Sequence, residues 1–246
     1  MKKALVVYGG WEGHEPTQVA KLYEKLLQAE DFDVELSNTL DAFLDEEKLK
    51  SMDIIIPHWT MGTITTAQLE PVLKAVASGV GMAGCHAGMC DAFHDSVDWQ
   101  FMTGGQWVAH PGGQQVRYKV NITDKTSSLM DGLEDFYTVS EQYYMHVDPA
   151  VRVLATTQFP VGREPFVADE DVKLDPGSGF GTWNFDAKDA DRGPHVGNGR
   201  VDLPCVWTKS FGKGRVFYSS LGHTAAHFAE KTPFEIMRRG IIWAAK

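Results

Sequence analysis

The segment Gly84-Cys85-His86-Ala87-Gly88 is the part of this chain whose residue types and spacing best suit chemistry. A short glycine-rich apolar run ends there, and small residues flank one central polar residue. That is the G-x-nucleophile-x-G pattern of a nucleophile elbow. Its glycines serve a turn in which the central backbone is strained and the following helix approaches closely. A thiol enzyme would carry cysteine at the centre. Here the centre is His86, with Cys85 one place earlier. On such a turn a one-residue shift points the thiol away from the pocket mouth. Proton transfer by an imidazole is therefore expected, rather than attack by a thiolate. The plainer alternative is a glycine-rich turn whose histidine only caps the next helix.

Nine histidines in 246 residues widen the candidate set. His14, His58 and His86 each follow an apolar run, and His223 follows the last hairpin, so all four could face one cleft. Three histidines, or histidine with glutamate, make a catalytic zinc set. No tight i, i+4 spacing marks such a site here. A divalent metal such as zinc on His14, His86 and His223 therefore stands beside direct binding of substrate hydroxyls. Glu141 opens the polar segment Glu141-Gln142-Tyr143-Tyr144, just before His146. A histidine and a carboxylate can share proton work near neutral pH. His94 is expected to fix the helix after the elbow, His195 to face solvent and His227 to line the pocket edge. Trp11 and Trp59 lie in the same loops as His14 and His58, while Trp107 suits a core.

The elements that must hold these residues are legible as alternating patterns. Ala4 to Tyr8 reads as a strand buried on both faces. Pro16 opens a helix with Val19, Leu22, Tyr23, Leu26 and Leu27 on one face. Phe32 to Leu36 reads as a second strand, followed by an acidic helical connector through Leu44, Leu49 and Met52. Asp53 to Pro57 reads as a third strand stopped by its proline. A helix through Leu69, Leu73 and Val76 leads to a fourth strand, Gly79 to Gly84. This alternation implies βαβ crossovers and a mostly parallel sheet with helices on both faces. Ligand sites in such sheets lie beyond the carboxyl ends of the strands. Later, Gln115 to Ile122 and Val151 to Thr157 read as strands without a long helix between them. Residues from about 158 to 204 form a Gly/Pro-rich excursion that Phe166, Phe180, Trp183 and Phe185 would order as a flap. Cys205 to Trp207 and Arg215 to Tyr218 flank Phe211-Gly212-Lys213-Gly214 as a hairpin. A final helix carries Phe234, Ile236, Met237, Ile241, Ile242 and Trp243. One domain spanning 1–246 is expected.

Bulk properties exclude some classes of function. The net charge of −10 repels polyanions, so neither nucleic acid nor an anionic membrane is an expected partner. No segment reaches the roughly 20 apolar residues of a membrane helix. The apolar run ending at Tyr8 is too short for a signal-peptide core. Cys85, Cys90 and Cys205 make no disulfide framework, which suits a reducing, cytoplasmic compartment.

Several motifs in order along the chain resemble the ThuA-like family. They are the elbow histidine, Phe93-His94-Asp95-Ser96, Gly104-Gly105, His110-Pro111, Ser140-Glu141-Gln142-Tyr143, and the run from Trp207 through Phe211-Gly212-Lys213-Gly214 to Leu221-Gly222-His223-Thr224. His14 in the first loop also fits. The resemblance implies a class I glutamine amidotransferase-like, flavodoxin-like fold and a part in using trehalose and related glucosides. It implies functional association with a sugar-oxidising dehydrogenase that makes 3-keto sugars. A small-molecule sugar is the expected partner, with a homo-oligomer also open. His86, Glu141 and His223 would be catalytic. Trp11, His14, His58, Trp59, His110, Tyr143 and His227 would bind substrate, with a tryptophan face stacked on a pyranose ring. Two alternatives stand beside this enzyme. A Cys-dependent glutamine amidotransferase or cysteine peptidase of the same fold is opposed by His86 at the nucleophile position. A non-catalytic sugar-binding or sensor module would use the same pocket residues.

Overall fold

The computed structural model describes residues 1–110, 113–159 and 201–246. They fall into two compact units. The first comprises Met1–Gln106, Asp148–Arg152 and Trp207–Lys246, and the second Trp107–Val147 and Val153–Val206.

The first unit opens with β1 (Lys2–Gly10), α1 (Pro16–Ala29) and β2 (Phe32–Ser37). After α2 (Glu46–Ser51) come β3 (Ile54–Thr60), α3 (Thr66–Ser78) and β4 (Gly81–Cys85). Two short helices follow, α4 (Ala87–Cys90) and α5 (Val97–Thr103). Pro16 at the first turn of α1 has a preset φ and no donor to lose there. Val19, Tyr23, Leu26 and Leu27 of α1 are buried, as the periodicity requires. A capping box between Thr65 and Gln68 starts α3.

The second unit contains β5 (Gly105–Ala109), whose first two residues belong to the first unit, then β6 (Val116–Ile122), β7 (Phe136–Ser140), β8 (Tyr144–Val147) and β9 (Arg152–Phe159). Its pairings of β6 with β7 and with β9 are antiparallel, and β5 lies beside β8. β10 (Val201–Phe211) begins in this unit beside β9 and ends in the first unit. There a turn at Gly212-Lys213 leads into β11 (Gly214–Ser219), and α6 (Ala225–Phe228) and α7 (Lys231–Ala244) close the chain.

Within the first unit the strand order is β2-β1-β3-β4-β11, and every one of these pairings is parallel. The core strands Ala4–Val7, Ile54–Ile56 and Val216–Tyr218 are fully buried. Each such large apolar side chain contributes about 1.5–3 kcal/mol of burial free energy. The connection from β1 runs outward to β2, whereas that from β3 runs the other way to β4. Right-handed crossovers then place α1 and α3 on opposite faces. The reversal makes a switch point between β1 and β3, and ligands bind beyond strand ends at such a point. The mostly parallel α/β architecture expected from the alternation is thus present.

Two details differ from the sequence reading. β3 does not stop at Pro57 but continues to Thr60. Its ladder to β4 is registered only at Ile54 and Ile55, while Val7 to Gly10 pair with it out to Thr60. The missing proline N–H therefore falls where one neighbour is already gone. β10 starts at Val201 rather than after Pro204, which removes the last residues from the expected excursion. The remainder of that flap, with Phe166, Phe180, Trp183, Phe185 and His195, lies outside the described residues. Among the described residues no helix is long and apolar enough to cross a membrane.

Candidate functional site

His86 adopts φ 49°, ψ −138°, a region almost confined to glycine. Such a residue stores about 1–3 kcal/mol of strain, so its surroundings must hold it. Two hydrogen bonds do so: its N–H donates to the Ser219 carbonyl at 2.7 Å, and the Tyr218 hydroxyl donates to its own carbonyl at 3.0 Å. The elbow glycines provide the clearance. A Cβ on Gly84 would sit 2.7 Å from the Met89 Cβ, and one on Gly88 2.4 Å from the His58 Nδ1. The helix that follows is a single turn, anchored by the Trp99 indole donating to the Met89 carbonyl at 2.9 Å. Cys85 is buried, and the Tyr23 hydroxyl donates to its Sγ at 3.0 Å. Burial pushes this thiol up to about 12, so a thiolate is not available at neutral pH.

Two more loops of the first unit bring histidines to the elbow. Gly10 allows the chain leaving β1 to pass close to Thr60, since a Cβ there would lie 2.1 Å from the Thr60 carbonyl oxygen. A 3₁₀ turn, Glu12–His14, then turns His14 inward. Gly222, at φ 100°, turns the chain after β11 so that His223 follows. The rings of His14 and His86 are 5.1 Å apart, those of His14 and His223 4.9 Å, and those of His86 and His223 5.2 Å. All three are buried, and each offers a ring nitrogen within 4.8 Å of the others. The Nδ1 of His14 hydrogen-bonds with the Thr60 hydroxyl at 3.0 Å, which orients the ring and leaves Nε2 as its ligand-side nitrogen. Three nitrogen donors at this spacing suit one shared divalent cation, and three-histidine sets are a known zinc arrangement.

The remaining candidates divide. Trp11 is 39% exposed with its ring 4.7 Å from that of His14, in reach of a ligand there. His227 lies 5.6 Å from His223 and pairs with the Thr224 hydroxyl at 2.8 Å. His58 packs behind the elbow, against Gly88 and the Tyr23 ring. Burial, with the nearby His14, holds it down to about 3, so it is neutral at working pH. Trp59 lies against Gly9 and Gly62, on the face of β3 opposite Thr60. His94 is bonded to the buried Asp91, and that hydrogen bond raises its pKa.

Glu141, His110 and Tyr143 belong to the second unit. There Glu141 is buried 3.7 Å from the His110 Nε2, the His110 ring stacks on Tyr143, and Trp107 lies beside them. The Tyr118 hydroxyl donates to the Glu141 carbonyl at 3.1 Å. Sequence reading missed Thr60, Tyr218 and Glu15, the last of which reaches Ala225. Only their places beside histidines or at strand ends could have pointed to them.

A parallel α/β unit with a strained elbow, histidine rather than cysteine at its centre, and three converging histidines defines a flavodoxin-like scaffold. The family model for ThuA, trehalose utilisation, matches residues 3–244, and the chain belongs to that family. Similar solved structures include a protein described as ThuA-like from Bacteroides uniformis, at 18% identity and TM-score 0.70, covering 99% of this chain and 91% of that one. Another, from Parabacteroides merdae, also has 18% identity, with TM-score 0.66 and coverage of 100% and 90%. A cytoplasmic protein from Salmonella typhimurium LT2 shows 12% identity and TM-score 0.61, covering 99% and 100%. At these identities the likeness is one of fold. No curated protein matches the chain.

Proposed function

We propose that this protein is an enzyme of glucoside metabolism that moves protons on a disaccharide or its 3-keto derivative, assisted by a divalent metal such as zinc. The observation that carries the reading is the mutual spacing of about 5 Å among the buried rings of His14, His86 and His223, at strand ends of a ThuA-family chain. These three residues would hold the metal, which when bound would act as a Lewis acid toward a carbonyl oxygen. The chain's own groups do the rest. A carbon beside a ketone is acidic enough for a protein base, which a native sugar's carbon is not. A side-chain base takes that proton, and such a general base typically contributes about 10²–10⁴-fold. Trp11 offers a flat apolar face to the pyranose ring beside His14. The hydrogen bonds from the His86 N–H to Ser219 and from Tyr218 to the His86 carbonyl hold its strained backbone in place.

Two measurements test this together: metal content after purification without chelator, and deuterium uptake from heavy water into a 3-keto-disaccharide, followed by NMR. About one metal per chain, lost in His14→Ala and His223→Ala with exchange lost alongside it, is the expected result. The strained elbow favours a second, metal-free reading in which His86 is itself the base. Exchange by metal-free protein that vanishes in His86→Ala would select it. Absence of exchange in the wild type, with sugar binding retained, would instead select a binding or sensor module.

A further inference from the structure

Glu15 follows His14 directly and adopts φ 51°, ψ 49°, a left-handed conformation that non-glycine residues seldom take. Its backbone ends one turn and starts the next: its N–H donates to the Glu12 carbonyl at 2.9 Å, and its carbonyl accepts from Val19 at 3.0 Å. Its half-buried side chain turns back across the unit. There Oε2 accepts the Ala225 N–H at 3.0 Å, 210 positions along the chain. Ala225 lies two residues after His223. One side chain thus ties the loop that carries His14 to the loop that carries His223, whose rings are 4.9 Å apart.

We propose that Glu15 is a positioning residue that sets the separation of His14 and His223, and so the fit of the three-histidine site to its ligand. This rests on the reading that the three histidines hold one common ion. The bond is well suited to the task. Both anchors are backbone-rigid, with Glu15 held in its turn and Ala225 at the start of α6. Thr60 orients the His14 ring, whereas Glu15 acts on the loops. The two together leave His14 little freedom to drift from the elbow. Groups outside the ligand shell typically change metal affinity by about 10–100-fold when removed.

Cobalt(II) titration, read by visible absorption, tests this in wild type, Glu15→Ala, Glu15→Gln and Ala225→Pro. Ala225→Pro removes the same bond from the donor side at a first-turn position that proline tolerates. Cobalt affinity should fall about tenfold or more in Glu15→Ala and Ala225→Pro, with a changed absorption band. Glu15→Gln, whose amide oxygen can still accept the bond, should stay near wild type. The double variant Glu15→Ala/Ala225→Pro should be no worse than either single one. Ring-nitrogen NMR of His14 and His223 in metal-free protein gives a readout that needs no ion. Those signals should move in Glu15→Ala and Ala225→Pro and return in Glu15→Gln. Wild-type cobalt affinity and unmoved ring signals in both bond-deleting variants would overturn the proposal. If wild type takes up no cobalt, the metal reading fails and the ring signals still decide on Glu15. If Glu15→Ala does not fold, Ala225→Pro against Glu15→Gln decides in the same way.

Discussion

Gly88 leaves room for His58: a Cβ there would meet the His58 Nδ1 at 2.4 Å and its Cα at 2.8 Å. The Cα belongs to a central strand and cannot move aside. Gly88→Ala should therefore destabilise the protein by about 1–3 kcal/mol, the usual cost of overpacking, as measured by denaturant unfolding. Cys85 gives the opposite expectation. Its thiol is buried, pushed up to about 12 and occupied with Tyr23. Cys85→Ser should keep most of the exchange activity, and iodoacetamide should not inactivate the wild type. Rapid inactivation at neutral pH would revive a thiol mechanism. The motif could be read from one line of sequence because glycine, histidine and spacing are local. The role of His58 could not, because its neighbours Gly88 and Tyr23 come from other elements.

At the scale of elements, α7 is held to α1 by a charge network. Arg238 donates to Glu235 through Nε at 2.7 Å and an η nitrogen at 2.9 Å, and also to Glu30 at 2.7 Å. Arg239 donates to Glu235 at 2.7 Å. The Arg238 hydrogen bond, helped by Arg239, holds the Glu235 carboxyl down to about 2. A depressed carboxylate contributes stability above its unfolded value of 4.5, and this is lost as pH falls towards 2. The groups are partly solvated, so the contribution is about 1 kcal/mol rather than the full linkage value. Glu235→Gln should melt about 2–4 °C lower at pH 7. That gap should close as pH is lowered from about 4.5 to about 2 in thermal unfolding scans. A constant gap across that range would remove the charge from the explanation. Periodicity located both helices, since an apolar stripe is a local signal. It could not show which charges on α7 meet α1, because pairs about 200 residues apart leave no local pattern.

For the whole molecule, a ligand that binds only the folded state raises its apparent stability. At a free concentration of about 100 times its dissociation constant, a bound zinc ion would add about 2.7 kcal/mol. For a chain of 246 residues that corresponds to about 5 °C in melting temperature. Zinc should produce this shift in wild type and not in His14→Ala or His223→Ala, as read by differential scanning fluorimetry. An equal shift in all three would assign the effect to surface carboxylates, which the net charge of −10 makes plentiful.

The sequence by itself determined the family, the parallel α/β class and the four loops where chemistry was to be sought. Apolar runs, helical stripes and glycine turns are written in consecutive residues, and the ThuA signature spans residues 3–244. Tertiary structure alone decided which of the histidines meet. His14, His86 and His223 converge because the switch point between β1 and β3, the elbow after β4 and the turn after β11 all open at the same strand ends. His58 follows the same kind of strand yet packs behind the elbow, because it fills the gap over Gly88 and lies against the Tyr23 ring. The tie from Glu15 to Ala225 was likewise invisible, since hydrogen bonds across 210 positions depend on where the fold brings two loops.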